Sequence, residues 1–297
     1  MIHRCVPALS LLLAMGPFPV AWAERPPAPG PEVARTTGAI GIEILPPEAR
    51  PGDPVAVRVR GSAQAPSGTL GKAKLRFFPY GDGHVAFTSL PIEAKPGVRP
   101  VSVKVRSHPP LEAELRVVPA EWRTRQLSVS KSFTEKRSEE LEARIVADRK
   151  AFADALAGRP SAPRFKQGFA LPREATFTAF FGDRRTFNGQ LKSRHYGLDL
   201  DGAVGAPIHA SNDGVVVLVR DAFFSGNSVI IDHGGGVFTL YFHLSAFDVR
   251  EGDRVTRGQL IGKVGSTGRV TGPHLHWSAK IDNRYVDPQR LIELALD

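Results

Sequence analysis

One cysteine in 297 residues, at position 5, leaves this chain no internal disulfide and no set of thiolates for metal binding or nucleophilic catalysis. Long apolar runs are missing too. The longest apolar stretch, Val6 to Val20, contains Pro17 and Pro19 and falls short of the ~20 residues of a membrane span. Basic residues outnumber acidic ones, 39 to 30, but they are not clustered. The +9 net charge therefore suits an anionic environment without arguing for a nucleic-acid partner. With 42% hydrophobic and 23% charged residues, disorder, collagen and coiled coil are excluded as the dominant state. The length suits roughly two domains at about 150 residues each.

Residues 1–23 have the form of a signal peptide: His3 and Arg4, then the apolar stretch, then Ala21-Trp22-Ala23 with small residues where a signal peptidase needs them. Cys5 lacks the small-residue context of a lipoprotein site. The expectation is a secreted protein of the periplasm or cell envelope, beginning at Glu24, with no stable membrane insertion. Residues 24–37, rich in Pro, Gly and Ala, read as a flexible leader.

Over 38–120, short alternating runs (Ala39 to Leu45, Val55 to Arg60, Ala73 to Phe78, Val101 to Arg106, Glu112 to Val118) are separated by turn clusters such as Pro51-Gly52-Asp53-Pro54. That spacing predicts an immunoglobulin-like β-sandwich. Residues 121–164 form a linking helix and linker: Ser132-Phe133-Thr134-Glu135 has capping-box form, and Leu141, Ile145, Phe152 and Leu156 recur at helical spacing up to Gly158. From 165 to 297 the pattern is strand and turn again, with a closing helix over Pro288 to Leu296. The fold class is mainly β.

Six of the nine histidines lie in this last part. In His195-Tyr196-Gly197-Leu198-Asp199, positions i and i+4 share a face, and Gly197 favours an extended segment. In His274-Leu275-His276 a strand turns both imidazoles to one side and Leu275 to the other. Two segments far apart in sequence can thus converge on one ion. Two histidines and a carboxylate bind zinc in many hydrolases and leave a fourth position for water, whose pKa falls from ~15.7 toward ~7. A histidine outside the metal shell can then move protons. Spacing does not divide these roles among the histidines.

The order of these motifs, together with Phe181-Gly182, Gly205-Ala206-Pro207, Ile231-Asp232-His233-Gly234, Tyr241-Phe242-His243-Leu244, Gly272 to Trp277 and Val286-Asp287-Pro288, resembles the lysostaphin-like zinc endopeptidases with a LytM-type domain. These enzymes cleave peptide bonds in bacterial peptidoglycan. The resemblance covers nearly all of 165–297 and implies an antiparallel β LytM-type peptidase domain. It further implies zinc held by His195, Asp199 and His276, catalysis by His243 and His274, and a peptidoglycan peptide as substrate. It selects Asp199 over the neighbouring Asp201 and makes His209 and His233 structural.

Two other readings compete. Val249 to Gly262 resembles the hairpins of biotinyl and lipoyl carriers, but Lys263 lies within an apparent strand and the ordered histidines would go unexplained. The stronger rival is a degenerate LytM domain that activates a cell-wall amidase by docking; such proteins usually lack ligands. The N-terminal domain and its helix are expected either to regulate access to the groove across a small, polar domain contact or to target the wall, and a regulatory protein partner fits either role.

Overall fold

The computed structural model describes residues 40–127, 138–158, 161–187 and 191–296. The signal peptide, the leader and the Ser132 capping box lie outside these residues. The described chain is mostly β, as its alternating runs require.

The N-terminal part contains two sheets. Strands Gly41–Leu45, Pro54–Arg60, Gly83–Ser89 and Phe78–Tyr80 form one, and Glu48–Ala49, Leu111–Val117, Gly97–Lys104, Ser67–Leu70 and Ala73–Leu75 form the other. Val55, Val57 and Val59 from the first sheet share an apolar cluster with Leu70, Val101, Val103 and Leu115 from the second. Pro54, Ala56 and Arg58, on the alternate face of that strand, are buried as well. Their face carries Ala56 toward the C-terminal part, while Arg58 donates to the Leu296 carbonyl at 2.6 Å.

That second burial corrects the expectation of a small, polar domain contact. Leu45, Ala56, Val85 and Phe87 join Phe165, Phe169, Val237, Ile281, Leu291, Leu294 and Leu296 in one cluster. The rings of Phe87 and Phe165 lie 5.5 Å apart, and those of Phe165 and Phe169 4.9 Å. Such a contact resembles a continuous core more than a hinge.

The C-terminal part is built on an antiparallel sheet in the order Phe177–Ala179, Leu198–Asp201, His274–Ile281, Val237–Phe247, Gly226–Asp232, Gly214–Ala222, Arg254–Val255. One face fills a core with Leu198, Leu200, Val216, Val229, Tyr241, Leu275 and Trp277. The other carries Phe238, Leu240 and Phe242, which helix α1 (Glu139–Leu156) covers with Ala151, Phe152, Ala155 and Leu156. The N-cap of α1 is Ser138, whose side chain accepts from Leu141 N. Asp148, buried in the middle of the helix, is paired at 2.7 Å with Arg220 and accepts from Phe223 N, as a buried carboxylate must.

The closing helix α2 spans only Pro288–Ile292, shorter than the expected run to Leu296. Leu294 and Leu296 are instead drawn into the shared cluster. The Leu296 carbonyl, free of helical bonding, accepts from Arg58 and Tyr80.

Candidate metal centre

Strand pairing sets the site. In the antiparallel register of Leu198–Asp201 with His274–Ile281, Asp199 lies opposite His276, and Leu275 is fully buried on the core side. His195 precedes the first of these strands in a loop and is buried at 3% exposure. Its Nδ1 lies 2.9 Å from the Phe180 carbonyl, so Nδ1 carries the proton and Nε2 is bare. Nε2 sits 2.9 Å from Asp199 Oδ1 and 3.0 Å from His276 Nδ1.

The tautomer of His276 is fixed the other way round. Its Nε2 faces Ser278 Oγ at 2.8 Å, and that hydroxyl donates to the Tyr196 carbonyl at 2.7 Å, so Nε2–H donates and Nδ1 is bare. Nδ1 lies 2.7 Å from Asp199 Oδ1. The Phe242 ring stacks parallel to the His276 ring at 5.5 Å and packs on Phe152 of α1. Gly197 permits this approach: a Cβ there would stand 2.5 Å from the Trp277 carbonyl, 2.6 Å from Ser278 Oγ and 2.8 Å from His276 Nε2.

Three electron-pair donors therefore crowd one point with their protons turned away from it, a set that suits a divalent ion such as zinc. Asp199 Oδ2 is occupied by the Arg185 guanidinium at 3.0 Å, which leaves Oδ1 to face the histidines. Burial pushes the Asp199 carboxyl upward, but hydrogen bonds and charge from His195 and His276 outweigh it and hold the group well below the usual carboxylate range. Burial lowers His276, against the pull of Asp199.

His243 reaches the same face through a backbone irregularity. Tyr241 and Leu244 both point into the core, so two residues between them must fit where strict alternation allows one. The pairing with Gly226–Asp232 slips here, Asn227 lying opposite Leu244 and Val229 opposite Tyr241. His243 takes up the slip with φ of 65°, a strained conformation for a residue other than glycine. Its Nδ1 donates to the Thr267 carbonyl at 2.8 Å, and its ring lies 5.0 Å from that of His274. His274 Nδ1 donates to the Gly272 carbonyl at 2.9 Å, and its Nε2 lies 3.8 Å from Asp199 Oδ1. With Nδ1 so bonded, each imidazole has Nε2 as its remaining nitrogen. Burial, reinforced by the positive charge His276 can carry, lowers His243 to about 3 against the pull of the Thr267 bond.

Asp201 lies opposite His274 in register but is exposed and outside the converging set. His233 is fully buried, with Nδ1 2.7 Å from the Asp213 carbonyl and Nε2 2.7 Å from the Thr239 hydroxyl. Burial lowers its pKa to about 4, so it is a neutral member of a polar network. His209 Nδ1 meets the Pro172 carbonyl at 3.3 Å, away from the site. Reading the sequence did not single out Arg185, Ser278 or the Phe180 carbonyl. No motif marks them, because each acts through a contact that only the tertiary fold creates.

Residues 193–288 match the model of Peptidase family M23. A stretch of 96 residues is 46% identical to the peptidoglycan DD-endopeptidase ShyA of Vibrio cholerae, covering 32% of this chain and 22% of that protein. Another of 94 residues is 50% identical to the DD-carboxypeptidase/endopeptidase Mpg of Neisseria meningitidis, again 32% of this chain and 22% of the relative. The match thus spans about a fifth of the length of these relatives. Among solved structures, one described as a peptidase M23 from Pseudomonas aeruginosa aligns with a TM-score of 0.61 at 27% identity. It covers 82% of this chain and 94% of that one, so the likeness extends beyond the peptidase segment into the N-terminal part.

Proposed function

We propose that this chain, whose residues 193–288 match the model of Peptidase family M23, is a zinc-dependent endopeptidase of the cell envelope that hydrolyses peptide crosslinks of bacterial peptidoglycan. The observation that carries the reading is the convergence of His195 Nε2, Asp199 Oδ1 and His276 Nδ1 within 3.0 Å of one another, each with its outer side already bonded. Names of the relatives, peptidoglycan DD-endopeptidases among them, support the substrate class.

In this reading His195, Asp199 and His276 hold the ion. Bound there, zinc would acidify a water at the fourth position and polarise the scissile carbonyl. The protein's own work is positional. Phe180 and Ser278 fix which nitrogen of each histidine faces inward, and Arg185 holds Asp199 Oδ2 so that Oδ1 faces the histidines. His243 and His274, anchored by the Thr267 and Gly272 carbonyls, present Nε2 beside the reacting atoms. There they would take a proton from the attacking water, stabilise the developing oxyanion and return a proton to the leaving amine. A docking activator of an amidase would need none of this complete donor set, so the set favours catalysis over that alternative.

The test is digestion of purified sacculi by the zinc-loaded protein, with released fragments identified by mass spectrometry. Cleaved crosslinks that disappear on chelation and return with zinc are expected. Stoichiometric zinc without any released peptide, together with stimulation of an amidase, would overturn the reading.

A further inference from the structure

The strand Thr124–Leu127 and the two residues before it lie outside both the matched family segment and the region assigned from sequence to the peptidase, yet they meet the site. Thr124–Leu127 pairs in parallel with Arg184–Phe187, and Arg184 N donates to the Arg123 carbonyl at 2.8 Å. Trp122 covers Gly182, where a Cβ would stand 1.9 Å from the indole, and its ring meets Phe181 edge-on at 6.3 Å. Arg123 lies over the Phe180 ring at 4.4 Å. Successive residues of the linker thus all grip the turn Phe180 to Asp183.

That turn orients His195. The Phe180 carbonyl accepts from His195 Nδ1, the Asp183 carbonyl accepts from His195 N at 2.9 Å, and Gly182 N donates to the His195 carbonyl at 2.8 Å. The turn is itself closed by Asp183 Oδ2, which accepts from Phe180 N at 3.2 Å. Arg125 pairs with the same oxygen of this buried carboxylate, its Nε 3.2 Å from Oδ2. The same guanidinium donates to the Thr178 carbonyl at 2.8 Å, and the Thr178 hydroxyl donates to the Asp199 carbonyl at 3.2 Å. One side chain therefore braces the backbone of both Asp199 and His195.

Resting on the metal-site reading above, we propose that Arg125 is a positioning residue for the metal centre, so that the stretch Trp122 to Arg125 is a working part of the site. Groups that orient metal ligands through hydrogen bonds are commonly worth 10- to 100-fold in affinity. Arg125 stands one bond further out, and a loss of about three- to tenfold is expected.

The test uses the full chain. Zinc affinity is measured by competition with a chromophoric chelator for the wild type, Arg125→Met, Arg125→Lys and His195→Ala, and apo-protein melting is followed in parallel. Support is a three- to tenfold weaker affinity in folded Arg125→Met at temperatures well below its melting point, with partial recovery in Arg125→Lys, which keeps the charge on Asp183. Affinity in folded Arg125→Met equal to wild type overturns the proposal even if melting falls, because bracing the fold alone would lower melting and leave the site intact. Should Arg125→Met fail to fold, Arg125→Gln, which also removes the charge facing Asp183, decides by the same criterion. A wild type that binds zinc no better than His195→Ala would instead sink the metal-site reading itself.

Discussion

At the scale of single residues, the site separates side chains that would hold an ion from those that would move protons. His195→Ala, Asp199→Ala and His276→Ala each leave two protein donors, and each is expected to lose zinc and activity together. His243→Ala and His274→Ala leave all three donors in place. They should retain near-stoichiometric zinc while turnover falls ~10²- to 10⁴-fold. Metal analysis beside rate measurement separates the classes, and a metal-free His274→Ala would move that residue into the ligand set. Asp201→Ala, exposed and outside the set, should change neither. A sharper probe is Gly197→Ala. Its new methyl would collide with the Trp277 carbonyl and the Ser278–His276 bond, so zinc affinity should drop tenfold or more with little change elsewhere. Wild-type affinity in that variant would show that the His276 tautomer does not depend on this contact. Four of these side chains were legible in the sequence because His-x-His and His-x-x-x-Asp place their groups on one face of an extended segment, whereas His243 was named only through the family resemblance. Ser278 and Arg185 were not, since their roles exist only once strand register or loop closure brings them to His276 and Asp199.

Elements show where local patterns give way to tertiary demands. The strands Gly214–Ala222 and Gly226–Asp232 formed where the strand-and-turn pattern of 165–297 predicts β structure, but the slip that sends His243 to the catalytic face is invisible to periodicity. Helix α2 stopped early because Leu294 and Leu296 gain more from burial against Phe87 and its neighbours than from another helical turn. Its N-cap, Asp287, accepts from Gln289 N and lies beside Asp53 in the contact between the N- and C-terminal parts, with Arg50 and Arg290 opposing. Burial, then the negative charge of Asp53, pushes the Asp287 carboxyl up to about 6. The unfolded group titrates near 3.9. The folded state therefore binds the proton more tightly, and this contribution is present below about pH 4 and lost as pH rises through about 6. Its size is on the order of 2–3 kcal/mol. Asp287→Asn keeps the cap and removes the titration, so relative to wild type it should gain stability as pH rises from about 4 to about 6, and no further above that, in urea unfolding. A difference between the two proteins that stays constant with pH would sink the assignment.

Across the whole molecule, the apolar contact changes what the N-terminal part can do. Had the two parts met through a small polar surface, removing the first would free the groove and speed cleavage. Instead Phe87, Val85 and Ala56 complete a cluster whose other members include Val237 and Ile281, residues on the two central strands that carry His243 and His276. α1 adds a second tie by covering Phe242, which stacks on His276. Access control by movement of the whole N-terminal part would have to break a continuous core, which disfavours frequent opening. Phe87→Ala, in the full chain, makes the point testable. Truncating a buried phenylalanine costs about 3–5 kcal/mol. If the parts unfold as one unit, that cost must be felt in the peptidase sheet. Amide hydrogen exchange in His274–Ile281 should then accelerate by roughly two to four orders of magnitude, each 1.4 kcal/mol being a factor of ten. Exchange in that strand unchanged from wild type, with acceleration confined to Gly83–Ser89 and its sheet, would show two units that open separately and would restore a hinged lid as the better account of the N-terminal part.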